Sequence, residues 1–263
     1  MIPGFVESFF LVNQEALWLT TLVADLGFTV LLYRFFGKAG LQVAIATAIL
    51  LANLQGPKLT VIFGFQTSMG VIFYSSIFFA TDVLSENYGK DAANKAVRMG
   101  FVVSIIVLVM LSLALMFQPS DRIAGDFPRE VHEAFETILN FTPRFVIGSL
   151  LAYLISQSFD VWIFHQIKKR TGEGRLWLRN NLSTMTSQIV DTVLYSVVVW
   201  WGTVDLRTAL ALGAVKYAFK VAIAMIDTVF IYWAKATHRR RHEQLAGAGR
   251  LPTDGAPAAN RLD

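Results

Sequence analysis

Two apolar segments in the second half of the chain carry polar side chains at helical spacing. Gln157 and Asp160 are three residues apart in the first segment, and Thr184, Gln188 and Asp191 follow one another at intervals of three or four residues in the second. On a helix each set lies on one face. A carboxylate accepts hydrogen bonds and an amide both donates and accepts, so together they can bind the edge of a small polar molecule. We therefore predict two polar helix faces turned towards each other or towards a common cavity.

The segments around these residues are typical of an integral membrane protein. Of the 263 residues, 54% are hydrophobic, and the mean hydropathy is +0.50. A helix needs about 20 mainly apolar residues to cross a bilayer, and runs of this kind recur along the chain. We predict seven spans at approximately residues 15–33, 39–54, 71–88, 97–117, 144–166, 182–201 and 206–233. The predicted fold is an all-α, polytopic helical bundle, with residues 1–237 as one transmembrane domain.

Residues 59–70 interrupt this pattern between the second and third spans. The run LTVIFGFQTSMG is short and rich in β-branched and aromatic residues, and Gly64 and Gly70 break it. Such a run favours a small β-hairpin or a re-entrant loop rather than a helix. At the end of the chain, residues 238–263 are first basic and then rich in Gly, Ala and Pro, which predicts a disordered cytoplasmic tail.

The basic residues indicate the orientation of the spans, because cytoplasmic loops of membrane proteins carry an excess of Lys and Arg. One side of the predicted bundle collects Arg34, Lys38, Lys90, Lys95, Arg98, Lys168, Lys169, Arg170, Arg175, Arg179, Lys235, Arg239, Arg240, Arg241, Arg250 and Arg261. The other side has Lys58, Arg122, Arg129, Arg144 and Arg207. We therefore predict that the N-terminus is outside the cell and the C-terminus is cytoplasmic.

The composition also excludes several kinds of site. The chain has no cysteine, which excludes disulfides, thiolate metal sites and cysteine nucleophiles. The four histidines form no HExxH pattern or similar ligand pair, so we expect neither a metal nor a cofactor. The basic residues lie in loops between spans rather than on a folded face, so no nucleic-acid partner is expected. An intramembrane enzyme is disfavoured, because no catalytic His or Ser–His pair lies at the depth of the charged residues.

The predicted spans nevertheless contain charged residues. Asp82, Asp160 and Asp191 fall at about one depth in the cytoplasmic half, and Lys216 and Lys220 lie nearer the midplane. A charged side chain at the bilayer centre costs at least about 2.5 kcal/mol, so these groups should face each other or water. One interpretation is a cavity lined by pairing charges. The alternative is that the two lysines only neutralise Asp160 and Asp191 and hold the bundle together.

Five motifs, in order along the chain, are similar to those of the queuosine precursor transporters, also called the vitamin uptake transporter family. The motifs are ANLQGPK (52–58), FFATDVLSENYGK (78–90), SLLAYLISQSFDVWIF (149–164), LWLRNNLSTMTSQIVDT (176–192) and VKYAFK (215–220). The resemblance covers about residues 34–233. It implies import, across the bacterial inner membrane, of 7-cyano-7-deazaguanine or 7-aminomethyl-7-deazaguanine, from which cells make queuosine in tRNA. It also implies a six-helix core with an additional N-terminal span, since some members begin at the equivalent of the second span.

A deazaguanine matches the polar residues of the predicted spans. It presents adjacent N–H and NH₂ donors, which a carboxylate accepts in bidentate fashion, and a carbonyl that needs a donor. We expect one of Asp82, Asp160 or Asp191 to bind the edge with the two donors. The predicted substrate-binding residues are Asn53, Gln55, Asp82, Gln157, Asp160, Gln188, Asp191 and Lys220, and the predicted gating or accessory residues are Thr81, Glu86, Arg144 and Lys216.

The sequence leaves the energy source of transport open. It has no GxxxxGK[ST] phosphate loop, so any use of ATP would need a separate ATPase. A secondary carrier or a facilitator is the preferred interpretation. The alternative is the substrate-binding membrane component of an ATP-driven importer similar to the energy-coupling-factor transporters. The expected partners are a small-molecule substrate and the lipid bilayer, and a homodimer is a further expectation because homo-oligomers are common.

Overall fold

The computed structural model describes residues 4–120, 125–139, 143–172, 174–200 and 206–247. Within these ranges the elements are α1 (Gly4–Val12), α2 (Gln14–Phe36), α3 (Lys38–Gln55), β1 (Leu59–Ile62), β2 (Phe65–Ser68), α4 (Gly70–Tyr88), α5 (Lys90–Ala114), α6 (Phe127–Leu139), α7 (Pro143–Thr171), α8 (Leu176–Trp200) and α9 (Leu206–Gly247). Each of the seven predicted spans corresponds to one long helix, namely α2, α3, α4, α5, α7, α8 or α9. The prediction of a largely helical, polytopic bundle is confirmed.

Four helices in the described part of the chain are long and apolar enough by themselves to cross a membrane. They are α2, α3, α5 and residues Val146–Thr171 of α7. The other long helices, α4, α8 and α9, contribute many of the buried polar side chains, and this lowers their hydropathy. The outward surface of α5 exposes a row of apolar side chains that includes Val102, Ile106 and Val109, as a surface in contact with lipid would.

Helix α4 is the central helix of the bundle. Almost every residue from Gly70 to Glu86 is buried, and α4 contacts α2, α3, α5, α7 and α9. A helix that is apolar around most of its circumference is stable only inside a protein or a membrane, which explains this position. Helices α7 and α8 pack against each other, and α9 packs against both α8 and α4. Two polar residues of α4 contact polar side chains of α7 and α8, namely Thr81 with Gln157 and Asp82 with Thr184.

The predicted hairpin between the second and third spans is present. Strands β1 and β2 are antiparallel, and Ile62 pairs with Phe65 across a two-residue turn. Phe63 and Gly64 in this turn both have positive φ, 52° and 78°, as in the turns that match the twist of a tight hairpin. The Ser68 hydroxyl donates to the carbonyl of Gly56 at 2.6 Å and so fastens the hairpin to the end of α3.

The helix α9 is longer than predicted. It continues to Gly247, whereas the predicted disordered tail begins at residue 238. The sequence after Trp233 contains neither proline nor glycine before residue 247, so nothing in it ends the helix. His238 also packs on the bundle, where its Nδ1 lies 2.5 Å from the hydroxyl oxygen of Tyr33. The folded domain therefore extends beyond residue 237, and residues 248–263 lie outside the described ranges.

Candidate functional site

A cavity of about 200 Å³ lies at the end of the bundle that carries the hairpin. Helices α3, α4, α5, α7, α8 and α9 all contribute to its walls, which are mostly apolar. The polar or aromatic side chains that line it include Asn53, Tyr74, Tyr153, Asp191, Tyr195, Lys216 and Lys220. A concave and mainly apolar site with a few convergent polar groups is typical of sites for small molecules.

The strongest polar feature of the cavity is an ion pair between α8 and α9. Lys220 Nζ donates to Asp191 Oδ2, and the two residues are only 7% and 4% exposed. The other carboxylate oxygen, Asp191 Oδ1, accepts a hydrogen bond from the Tyr74 hydroxyl at 2.6 Å and lies 3.2 Å from Ser156 Oγ. Because four different helices supply these groups, Asp191 is held in one position at the wall of the cavity.

One further cation, Lys216, and two aromatic rings lie close to this ion pair. Lys220 Nζ lies 4.8 Å from the ring centroid of Tyr74, and Lys216 Nζ lies 4.7 Å from that of Tyr195. At these distances a cation is attracted to the face of an aromatic ring. The two lysines are one helical turn apart on α9 and both face the cavity. The wall formed by α9 is therefore positively charged, and the only carboxylate among the described lining residues is Asp191.

Of the two predicted site residues on α3, only one lines the cavity. Asn53 lines the cavity, and its Nδ2 donates to the carbonyl of Ile49 in the same helix at 2.9 Å. Gln55 does not line it, because residues two apart on a helix point in different directions. Arg144 belongs to α7, but its side chain lies outside the part of the chain that is described.

A second polar layer lies deeper in the bundle and does not line the cavity. Thr184 Oγ1 donates to Asp82 Oδ2 at 3.0 Å, and Ser187 Oγ donates to Asp160 Oδ1 at 2.8 Å. Five of the predicted site residues, Thr81, Asp82, Gln157, Asp160 and Gln188, are in this layer, and all are at most 1% exposed. The polar faces of α7 and α8 are thus turned towards each other, as their spacing predicts.

The end of the bundle opposite to the cavity is closed by a cluster of charges around Glu86. Arg179 donates from Nε to Glu86 Oε2 at 3.0 Å and from Nη2 to Glu86 Oε1 at 2.6 Å. Lys235 and Lys168 contact the same carboxylate at 2.6 and 3.2 Å. We call these four residues the Glu86 cluster. It joins α4, α7, α8 and α9, and it is separate from the cavity residues.

The positions of Lys216 and Lys220 agree only in part with each of the two interpretations of the intramembrane charges. Lys220 neutralises Asp191, as expected if the lysines only hold the bundle together. The same pair, however, also lines a cavity. In the described residues neither Lys216 nor Lys220 forms an ion pair with Asp160.

Sequence reasoning did not identify several residues of these sites, among them Tyr74, Tyr153 and Arg179. Tyr74 and Tyr153 look like packing aromatics in their apolar runs, yet both line the cavity. Arg179 was assigned to a cytoplasmic loop by its charge, but α8 begins at Leu176 and Arg179 is completely buried in its first turn. The acidic partner of Arg179, Glu86, is 93 residues away in sequence, so no local pattern could have indicated the pair.

Residues 68–234 match the family model described as "Putative vitamin uptake transporter". The chain is 36% identical over 223 residues to the "Probable queuosine precursor transporter" of Bacillus subtilis, covering 84% of this chain and 95% of the relative. It is 25% identical over 174 residues to the "Queuosine precursor transporter" of Escherichia coli, covering 65% of this chain and 73% of the relative.

A third relative, the "Probable queuosine precursor transporter" of Haemophilus influenzae, is 25% identical over 197 residues, covering 72% of this chain and 77% of the relative. No solved structure matches the chain. The family model covers α4 to α8 and α9 as far as Ala234, and these helices carry the cavity walls other than α3 and the Glu86 cluster other than Lys235. The chain therefore belongs to the queuosine precursor transporter family, also described as vitamin uptake transporters.

Proposed function

We propose that this protein imports queuosine precursors and binds their 7-deazaguanine ring in the cavity beside Asp191 and Lys220. The observation that carries the proposal is the Asp191–Lys220 pair itself, which is buried in a helical bundle and yet lines a cavity. A transporter needs a polar binding site of this kind within its apolar body. The names of the relatives supply the class of substrate.

The chemistry of the pair matches one edge of the ring. A 7-deazaguanine has its carbonyl next to a ring N–H, which is in turn next to the NH₂ group. A carboxylate beside an ammonium group is complementary to this edge, because Asp191 can accept from the N–H and NH₂ groups while Lys220 donates to the carbonyl. Tyr74 and Tyr195 offer ring surfaces on which a flat ligand can stack.

This proposal chooses among the three carboxylates that the sequence leaves open. Asp191 lines the cavity, whereas Asp82 and Asp160 belong to the deeper layer. Asp191 is therefore the residue that we assign to the donor edge of the ligand. Lys220, Asn53 and Lys216 are assigned to its acceptors, and Gln55 is not assigned to the ligand.

The orientation in the membrane is part of the same proposal. The distribution of Lys and Arg supports a cytoplasmic C-terminus, and the proposed location is the bacterial inner membrane. The cavity then opens to the outside, and the Glu86 cluster closes the cytoplasmic side. Such an arrangement corresponds to the outward-facing state of a secondary carrier, which needs no ATPase.

The first experiment is equilibrium binding of radiolabelled 7-cyano-7-deazaguanine to the purified protein. We expect Asp191→Asn to lower the affinity by about 10- to 100-fold, because charge-assisted hydrogen bonds contribute about 1.5–3 kcal/mol. The matched control is Asp126→Asn, which removes an exposed carboxylate before α6 and should leave the affinity unchanged. Equal affinities for the wild type and Asp191→Asn would contradict the assignment.

Transport by the protein alone is tested in liposomes. Uptake of the labelled base by liposomes that contain only this protein is expected from a carrier. Binding without uptake, restored by a copurifying ATPase, would instead support the ATP-driven alternative.

A further inference from the structure

Three polar layers follow one another along the same helices between the cavity and the opposite end of the bundle. On α4 they are marked by Tyr74, Asp82 and Glu86, which at 1.5 Å per residue are separated by about 12 Å and about 6 Å along the helix axis. Each layer is cross-linked by side-chain contacts. These contacts are Tyr74 and Ser156 with Asp191, Thr184 with Asp82, Ser187 with Asp160, and Arg179 with Glu86.

The middle layer differs from the other two in its charges. Asp191 is paired with Lys220, and Glu86 is paired with Arg179, Lys168 and Lys235. By contrast, no Lys or Arg of the described residues forms an ion pair with the carboxyl groups of Asp82 on α4 and Asp160 on α7. We call these two residues the acidic pair. The charged group that approaches them from α9 is Asp227, which is another carboxyl group and accepts from Asn180 Nδ2 at 2.9 Å.

Each residue of the acidic pair keeps one carboxyl oxygen without a hydrogen-bond donor within the part of the chain that the structure describes. Asp82 Oδ1 and Asp160 Oδ2 are both buried and accept no hydrogen bond from an N–H or hydroxyl group in the described residues. The two carboxyl groups are within hydrogen-bonding reach of each other. Since an ionised carboxylate has no donor, such a contact is attractive only when one of the two groups carries a proton. The geometry therefore contains a place for one proton.

Two amide side chains lie between the acidic pair and the cavity. Gln157 is three residues before Asp160 and directly follows Ser156, which contacts Asp191. Gln188 is three residues before Asp191 and directly follows Ser187, which donates to Asp160. Gln188 has no hydrogen-bond partner for either amide atom in the described part of the chain, and neither has Gln157 Nε2. These buried amide atoms can therefore take hydrogen-bond partners when the cavity fills.

We infer that the acidic pair Asp82 and Asp160 binds one proton in each transport cycle and couples its movement to that of the substrate. A proton from the outer side forms an O–H bond with one carboxylate, and this bond breaks when the proton leaves towards the Glu86 cluster and the cytoplasm. The substrate and the proton thus move in the same direction. This inference rests on the proposed function as an importer, but it assigns to Asp82 and Asp160 a role that does not include contact with the ligand.

The test uses Asp82→Asn and Asp160→Asn in the full-length protein. Asparagine keeps the shape of the side chain, can still accept from Thr184 or Ser187, and can donate to the remaining carboxylate, so both variants should fold. They cannot take up and release a proton. Asp160→Glu, which retains a titratable group, is the second variant, and Asp126→Asn is the surface control.

Each protein is reconstituted alone into liposomes that contain a trapped pH-sensitive dye. Three quantities are measured: binding of 7-cyano-7-deazaguanine, exchange of labelled for unlabelled base, and accumulation driven by an imposed pH gradient. For the wild type and Asp126→Asn we expect accumulation and substrate-dependent entry of protons. For the two Asn variants we expect unchanged binding and exchange but at least a 10-fold loss of both gradient-driven signals, with partial recovery in Asp160→Glu.

The outcomes separate this inference from the proposed function. Accumulation by either Asn variant would overturn the inference, and so would a loss of binding in these variants, because the acidic pair would then act on the ligand itself. Wild-type accumulation that follows a sodium gradient instead of a pH gradient would also overturn it. A wild type that does not bind the base at all would refute the proposed function.

Discussion

Arg179 and Glu86 form a bidentate ion pair in which both carboxylate oxygens accept from one guanidinium group, although 93 residues separate them in sequence. The guanidinium is completely buried, and its Nη1 also donates to the carbonyls of Gly172 and Gly174 at 3.0 and 2.6 Å. The pair therefore connects the end of α4, the turn after α7 and the start of α8. In the proposed orientation it closes the cytoplasmic side of the bundle.

We predict that Arg179→Ala strongly destabilises the protein. Removing one partner of a buried ion pair typically costs about 3–5 kcal/mol, because the other charge stays buried. At about 2–4 °C per kcal/mol for a chain of this size, the melting temperature in detergent should fall by roughly 10 °C. The matched control is Arg239→Ala, which breaks the Arg239–Glu243 pair, whose side chains are 77% and 67% exposed. It should shift the melting temperature little, because exposed ion pairs contribute about 0–1 kcal/mol.

Tyr74→Phe tests whether the position of Asp191 matters for binding. The substitution removes the hydrogen bond from the Tyr74 hydroxyl to Asp191 Oδ1 and keeps the ring. We expect the affinity for 7-cyano-7-deazaguanine to fall by about 3- to 10-fold, since the lost bond contributes about 1 kcal/mol. Tyr153→Phe is the control, because its hydroxyl donates to the carbonyl of Val97 rather than to Asp191. A similar loss in both variants would mean that the Asp191 contact has no special role.

Two glycine substitutions should have opposite effects on stability. A Cβ atom at Gly70 would lie 2.9 Å from both the carbonyl oxygen of Ala52 and the Cα of Gly56, so Gly70→Ala forces α3 and α4 apart. Overpacking of this kind costs about 1–3 kcal/mol. At Gly27, in the middle of α2, a Cβ atom meets nothing within 4 Å, so Gly27→Ala should stabilise the helix by up to about 1 kcal/mol. Thermal unfolding of both variants measures the difference, and a lower melting temperature for Gly27→Ala would contradict it.

The absence of cysteine makes accessibility of the cavity directly measurable. We predict that Asn53→Cys reacts in whole cells with a membrane-impermeant maleimide and that excess 7-cyano-7-deazaguanine slows the reaction several-fold. Ser85→Cys is the control, because Ser85 is completely buried and does not line the cavity. Labelling of Asn53→Cys only after the cells are broken would reverse the proposed orientation.

The sequence predicts the helices and the hairpin well, because their signals are local. Runs of about 20 apolar residues define spans, and Gly64 within a β-branched run defines a turn. The spacing of Gln157, Asp160, Gln188 and Asp191 also predicts correctly that α7 and α8 face each other with their polar sides.

The sequence could not predict which polar residues line the cavity and which lie in the deeper polar layer. Asp82 and Asp191 lie at similar predicted depths, and their separation depends on how α4, α8 and α9 are rotated against one another. That rotation is determined by packing between helices rather than by the pattern within any one of them. For the same reason the sequence did not indicate that Arg179 is buried or that Tyr74 lines the cavity.

The length of α9 has a practical consequence for experimental structure determination. Its 42 residues correspond to about 63 Å, twice the thickness of the hydrocarbon core of a bilayer, and His238 in its second half contacts Tyr33 of the bundle. A soluble helical protein fused in register after Gly247 would continue α9 as one rigid rod. Such a fusion would supply the external landmark that image alignment in electron microscopy requires for a membrane protein of only 29.3 kDa.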